Sequence, residues 1–318
     1  MPSTGEWPLT GGANGQVLVR DYLGTEELPA SDRTGLASLA VLEDVGIVCV
    51  PDAVHPRFTP DERAELTRAI LAHCEGHKRF AILSTGSDQG DHDVPTAPAD
   101  SSSAAIYWPW ITVPDGARDG SISIPAIGHI AGAYAHHDRQ HGVHVSPVGI
   151  ELKGLVTDSA GLVFAQPKVS HTVDAYTRRG VNVIGQDPKD PHLVILASAV
   201  TMAIDESWQR IGSRRFFNYV ERCLEAGTAW VKIAPYGEAT WTQVQEEVEA
   251  FLTRLWRAGV LLGSKPEEAF FVRCDMSTMT EDDIANRRVN LVMGVALADR
   301  DLTFPKPPVI TTSGFLEV

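Results

Sequence analysis

Only four cysteines occur in 318 residues, Cys49, Cys74, Cys223 and Cys274, and no two form a C-x-x-C pair. That spacing excludes a zinc knuckle and a dense disulfide frame, and predicts reduced, buried thiols. Basic residues are also scarce: 27 Lys and Arg against 41 Asp and Glu leave a formal charge of −14. Holding phosphates takes clustered cations, so a nucleic-acid scaffold is disfavoured. No window approaches the ~20 apolar residues that span a bilayer. The opening "MPSTGEWPLTGG" has neither the basic flank nor the apolar centre of a signal peptide. The expectation is a chain made and folded in the cytosol, with no direct membrane insertion.

Catalytic signatures are missing as well. G-x-S-x-G occurs nowhere, which removes the strained strand-to-helix turn that exposes a nucleophilic serine. The glycine-rich "TGGANG" at 10–15 follows no buried strand and precedes no G-K-[ST], so it reads as a turn rather than a phosphate cradle. Acidic residues are spread along helix faces, where solvation explains them. No catalytic residue and no cofactor are expected.

A content of 43% hydrophobic and 21% charged residues suits a chain with one sizeable core or two subdomains. "LASLAVLEDVGIVCVPDA" predicts a short helix, then a buried strand at 46–50. In "TPDERAELTRAILAHCEG", Thr59 is the expected N-cap, Pro60 the first helical residue, Glu62 the capping-box partner and Gly76 the stop. "RFAILST" follows as a second buried strand, and the order strand, helix, strand predicts a parallel α/β unit. Residues 85–103 predict a surface loop. "AAIYWPWITV" predicts a strand at an edge or bulge, because Pro109 has no N–H to give a ladder.

In the second half, "GVNVIGQ", "LVILASA", "TAWVKIAP", "EEAFFVRCD" and "RRVNLVMGVAL" predict strands. "SRRFFNYVERCLEAG" predicts a helix ending at Gly227, and 239–258 an amphipathic helix with Trp241, Val244, Val248, Phe251, Leu252, Leu255 and Trp256 on one face. Thr280, with Asp283 three positions on, predicts a further capped helix. The fold class expected is α/β: a mixed, largely parallel sheet flanked by helices.

The stretch "GHIAGAYAHHDRQHGVH" at 128–144 holds five of the eleven histidines. His137 and His141 have the i, i+4 spacing of zinc ligands, but residue 138 is Asp, so H-E-x-x-H is absent and the ligand count falls short. A helix ending near Gly142 favours histidines for another reason, since cations in a last turn complement the helix dipole. No metal is expected. Gly128 with Gly132, and Ala131 with Ala135, recur every four residues and predict close packing against a neighbouring backbone.

Taken in order, several segments resemble the tail-sheath family of contractile phages, pyocins and extracellular contractile injection systems. They are "LTGGANG", "LEDVGIVCVPDA", "HCEGHKRFAILS", "AAIYWPWITV", "IPAIGHIAGAYAHHDRQHGVHVSPV", "RRGVNVI", "RRFFNYVERCLEAGTAWV", "FLTRLWRAGVLLGSKPEEAFFVRCD" and "MTEDDIANRRVNLVMGVA". The most specific is the late succession of Gly-x-Leu-x-Gly, Pro-x-x-Ala-Phe-x-Val-x-Cys-Asp and Met-Thr-x-x-Asp-Ile. The resemblance implies a structural subunit that stacks in rings around an inner tube and contracts, without enzymatic activity.

The partners implied are other sheath subunits, the inner tube protein, and baseplate and tail-terminator or cap proteins, with no nucleic acid. The place implied is the cytoplasm of the producing cell, then the assembled particle. The implied organisation is a lead-in at 1–16, the N-terminal part of the sheath core at 17–145, a conserved C-terminal domain at 146–298 and a divergent tail at 299–318. The implied tube contact is the charged helix carrying Asp282, Asp283, Arg287 and Arg288, against the plainer reading of a solvated helix face. Two departures stand out: only a short arm precedes Gly11, and Pro305, Pro307 and Pro308 are expected to obstruct the family's C-terminal strand pair. The alternatives are a metal- or nucleotide-dependent α/β enzyme and a non-contracting sheath-derived adaptor.

Overall fold

The computed structural model describes residues 15–87, 94–117, 119–156, 173–190, 192–297, 309–311 and 316–317. Short helices Val19–Leu23 (α1) and Gly35–Leu39 (α2) lead to strand Ile47–Val48 (β1), which helix Pro60–Gly76 (α3) connects to Phe80–Ser84 (β2). Ala104–Trp108 (β3), Ile111–Pro114 (β4), Ser121–Ile124 (β5) and helix Ile127–His141 (α4) follow. Then come Val173–Thr177 (α5), Val181–Gln186 (β6), Val194–Leu196 (β7) and helices Ile211–Gly227 (α6), Glu238–Arg257 (α7) and Pro266–Ala269 (α8). Phe270–Arg273 (β8), Glu281–Ala285 (α9), Asn290–Val295 (β9), Val309–Thr311 (β10) and Leu316–Glu317 (β11) complete the order.

The parallel α/β unit forms as expected. β1, β2, β3 and β6 run parallel in that spatial order, and β7 closes the sheet antiparallel to β6. Strand side chains alternate between faces, and both faces are apolar. Ala81, Leu83, Ala104, Ile106, Trp108, Val181 and Val183 meet Leu66, Ile70, Leu71 and Cys74 of α3. Phe80, Ile82, Ala105, Tyr107 and Ile184 meet Ile127, Ile130 and Tyr134 of α4. The start of α3 is set by the expected capping box: Thr59 Oγ1 accepts from Glu62 N–H (3.3 Å), and Glu62 Oε2 accepts from Thr59 N–H (2.8 Å). β6 and β7, which follow residue 146, complete the sheet begun by β1 to β3.

A second core forms where Val244, Val248 and Leu252 of α7 and Phe216, Phe217, Val220 and Leu224 of α6 cover Leu291, Met293 and Val295 of β9. Phe251, Leu255 and Trp256 are only partly buried against it. Its sheet is antiparallel throughout, in the order β11, β10, β9, β8.

Several sequence expectations are corrected. The strand expected for "TAWVKIAP" is a 3-10 turn, Ala229–Ile233, because the chain must reverse from α6 into α7 and does so with local bonds such as Val231 N–H to the Thr228 carbonyl. In "EEAFFVRCD" the first three positions belong to α8 rather than to the strand, with Pro266 opening the turn and Glu268 Oε2 accepting from Ser264 N–H (2.8 Å). "AAIYWPWITV" divides at Pro109: β3 is a central strand, and β4 leaves the sheet to pair with β5.

The 85–103 loop is not all surface, since Thr85, Val94, Ser101 and Ser103 are buried and Ser101 Oγ donates to Glu75 (2.7 Å). Of the four thiols, Cys74 and Cys274 are buried, whereas Cys49 and Cys223 are half-buried. Pro305, Pro307 and Pro308 lie outside the described residues, yet the ladder they were expected to obstruct forms beyond them, with Val309 opposite Val292 and Ile310 opposite Leu291.

Candidate assembly surfaces

Helix α6 fixes the two cores relative to each other. Its first residue, Ile211, belongs to the core beneath the five-stranded sheet, and its later apolar residues belong to the second. The helix starts hard against the chain at 144–146. A Cβ at Gly212 would stand 2.5 Å from the His144 carbonyl oxygen, so only glycine fits, and Gly212 N–H donates to Ser146 Oγ (3.1 Å).

The sequence reading missed the polar residues of this helix, because charged side chains on an amphipathic helix ordinarily mark the wet face. Here Arg214, Arg215, Asn218 and Glu221 are all buried. Arg214 pairs with Glu221 (3.0 Å), donates to Asn218 Oδ1 (2.9 Å) and lies 4.5 Å from the Trp208 ring centroid. Asn218 in turn donates to the Arg79 carbonyl (3.2 Å).

Arg215 grips Asp138 of α4 with two bonds, 2.9 and 2.5 Å, and lies 5.0 Å from the Tyr134 ring centroid. Tyr134 and Tyr107 share a buried hydroxyl–hydroxyl bond of 2.5 Å, and burial pushes both phenols upward. Further along α6, Arg222 donates to the Val45 and Glu43 carbonyls, and Glu225 accepts from Lys78 (2.7 Å).

A second strap holds the loop before β1. Arg79, buried with no carboxylate partner among the described residues, donates to the Leu39 and Leu42 carbonyls (2.7 and 2.6 Å) and sits 2.6 Å from His73 Nε2. That geometry needs a neutral His73 ring as acceptor. Burial, then the Arg79 charge and then His77, lower its pKa to about 4. An unfolded histidine titrates near ~6.5. The neutral-ring contribution is therefore complete above pH ~6.5, shrinks as the pH falls, and is gone once the folded ring protonates near pH ~4. Urea midpoints measured from pH 7.5 down to 4 should fall through this window, and His73→Gln should flatten the slope.

The histidine helix differs from its sequence reading in one respect. Gly128, Gly132 and Ala135 lie on the exposed face, and a Cβ added at either glycine would meet nothing within 4 Å. Among the described residues, no backbone packs there, and Ile127, Ile130, Tyr134 and His137 supply the buried face instead. His137 and His141 stack with ring centroids 4.6 Å apart, and His141 lies in the last turn, as the dipole argument expects. Asp138 is committed to Arg215. Among the described residues, no group of three or more His, Cys, Asp or Glu is placed to hold a metal ion.

The charged corner at α9 separates its four residues. Asp283 is buried: it accepts from Thr280 N–H (2.9 Å), Thr280 Oγ1 (2.5 Å), Arg288 Nε (2.8 Å) and Asn290 Nδ2 (2.7 Å). The Thr280 bonds, with Arg288 beside them, hold its carboxyl well below the usual range. Arg288 also pairs with Asp282. Asp283 and Arg288 thus cap α9 and pin it to the start of β9, and the expected Thr280 capping box is present. Asp282 and Arg287 are exposed.

No protein-family model and no curated protein matches the chain. Solved structures do. The anti-feeding prophage helical sheath in its contracted state matches at 27% identity with a TM-score of 0.65, over 87% of this chain and 74% of that one. A chain of the anti-feeding prophage baseplate matches at 27% identity and a TM-score of 0.64, again over 87% and 74%. The contracted sheath complex of an extracellular contractile injection system, PVC, shares the fold at 24% identity and a TM-score of 0.64, over 86% and 75%. Among the described residues, no helix is long and apolar enough to cross a membrane.

Proposed function

We propose that the chain is a contractile tail sheath protein, a structural subunit of the sheath around the inner tube of a phage-like tail or injection system that drives the tube outward on contraction. The match to a contracted helical sheath along 87% of the chain carries this reading. The alternative of a metal- or nucleotide-dependent enzyme is not favoured, and the proposed role involves no catalysis and no cofactor. The partners proposed are further sheath subunits, the inner tube, the baseplate and the terminating cap, without nucleic acid. The place proposed is the producing cell's cytoplasm and then the assembled particle.

Two further parts of the reading concern regions of the chain. The proposed tube contact narrows to Asp282 and Arg287, the exposed members of the α9 corner, with Asp283 and Arg288 holding that corner in place. The proposed division remains a sheath core from 17 and a C-terminal domain from 146, whose first strands, β6 and β7, complete the sheet of the core. Negative-stain microscopy of the overexpressed full chain tests the function: striated helical tubes are expected, and a protein that stays monomeric and binds zinc or nucleotide would overturn it.

A further inference from the structure

One cleft is not used by the fold. It holds about 320 Å³ between one flank of α7, carrying Glu238, Trp241, Thr242, Gln245, Glu246 and Glu249, and the turn after β8 at Cys274, Asp275 and Met276. Four of those nine residues are acidic and none is basic, although Arg273 stands beside Asp275. Gln245 is already occupied, taking Cys274 N–H (3.1 Å) and donating to Glu249 (2.9 Å). Trp241, only 7% exposed, has an indole N–H with no acceptor among the described residues. Carboxylates together with an apolar lip, Met276 at 62% exposure, suit a polypeptide that offers a cation beside an apolar side chain.

The same chain presents that combination elsewhere. In the 3-10 turn Ala229–Ile233, Ile233 is 90% exposed and Lys232 beside it is exposed with no carboxylate partner among the described residues.

This knob and the cleft lie on opposite flanks of α7. Trp230 of the turn donates to Glu247 (2.9 Å), and Glu247 is roughly 160° or more around the helix from Gln245 and Glu249 at about 100° per residue. A knob on one flank and its socket on the other cannot satisfy each other within one copy, but they can join copies head to tail.

We propose that Lys232 and Ile233 of one subunit seat in the acidic cleft of the next copy, a heterologous contact of the kind that propagates an open helical stack. Lys232 meets the carboxylates of Glu246 and Glu249, and Ile233 covers Met276. The contact rests on the sheath reading, and the test separates the two.

Full-length chains carrying Lys232→Glu, or Glu246→Lys with Glu249→Lys, are compared with the parent by pelleting and negative stain. Each charge reversal should cut pelletable polymer by about tenfold or more, and combining them should restore it. Ile233→Ser, which leaves every charge in place, should cut it as well. Polymer formed as in the parent by Lys232→Glu or Ile233→Ser, or a combined variant that stays unassembled, would overturn the contact while leaving the sheath reading intact. A parent chain that never polymerises would sink both.

Discussion

Arg215→Ala should lower unfolding stability by about 3–5 kcal/mol, read as a fall in urea midpoint at unchanged slope. The guanidinium is almost fully shielded, the Asp138 side chain only 18% exposed, and two bonds join them. Removing the cation leaves the Asp138 carboxylate without its partner in a shielded position, so the cost is that of an orphaned charge rather than of one lost bond. A double variant, Arg215→Met with Asp138→Leu, should recover much of the loss, since apolar replacement of both partners of a buried pair is often neutral. If Arg215→Ala alone were as stable as the parent, α6 would not be strapped to α4 as described.

Phe217→Ala should cost a similar amount, about 3–5 kcal/mol, from lost transfer energy and the cavity left behind. Phe217 is 1% exposed and meets both Trp208 (5.3 Å) and Phe216 (5.8 Å) edge to face. Such ring pairs add about 0.5–1.5 kcal/mol beyond area burial. The residue sits in the second core, whereas Arg215 ties α6 to the first. Because the two changes act on opposite sides of one helix, their effects should add closely when combined, and a double variant far from additivity would argue that the cores do not respond independently.

Much of this architecture was legible in the sequence where one physical signal dominates. Thr59, Pro60 and Glu62 fixed the start of α3 because capping is local chemistry, and the same held for Thr280 and Asp283. Continuous apolar runs gave β2 and β3 because their sheet is covered on both faces. Non-local compensation was not legible. Arg214, Glu221 and Arg215 have the spacing of solvated helix residues, and only the folded chain brings Asp138 and Trp208 to them. The four-residue spacing of Gly128 and Gly132 permits close packing without requiring it, and here both face outward.

The charged corner divides along the same line. The spacing of Asp282, Asp283, Arg287 and Arg288 made a helix end readable, but which carboxylate turns inward depends on Asn290 and Thr280. The cleft beneath α7 depends on the turn after β8 arriving beside Gln245, a contact 29 residues apart in sequence.

The most direct test of the central claim is a helical reconstruction of whatever the overexpressed chain assembles into. A sheath subunit should give stacked rings around a central channel, with both cores and α6 recognisable in each subunit and one repeating head-to-tail contact. A closed dimer or a monodisperse monomer at the same concentration, without helical repeat, would contradict it.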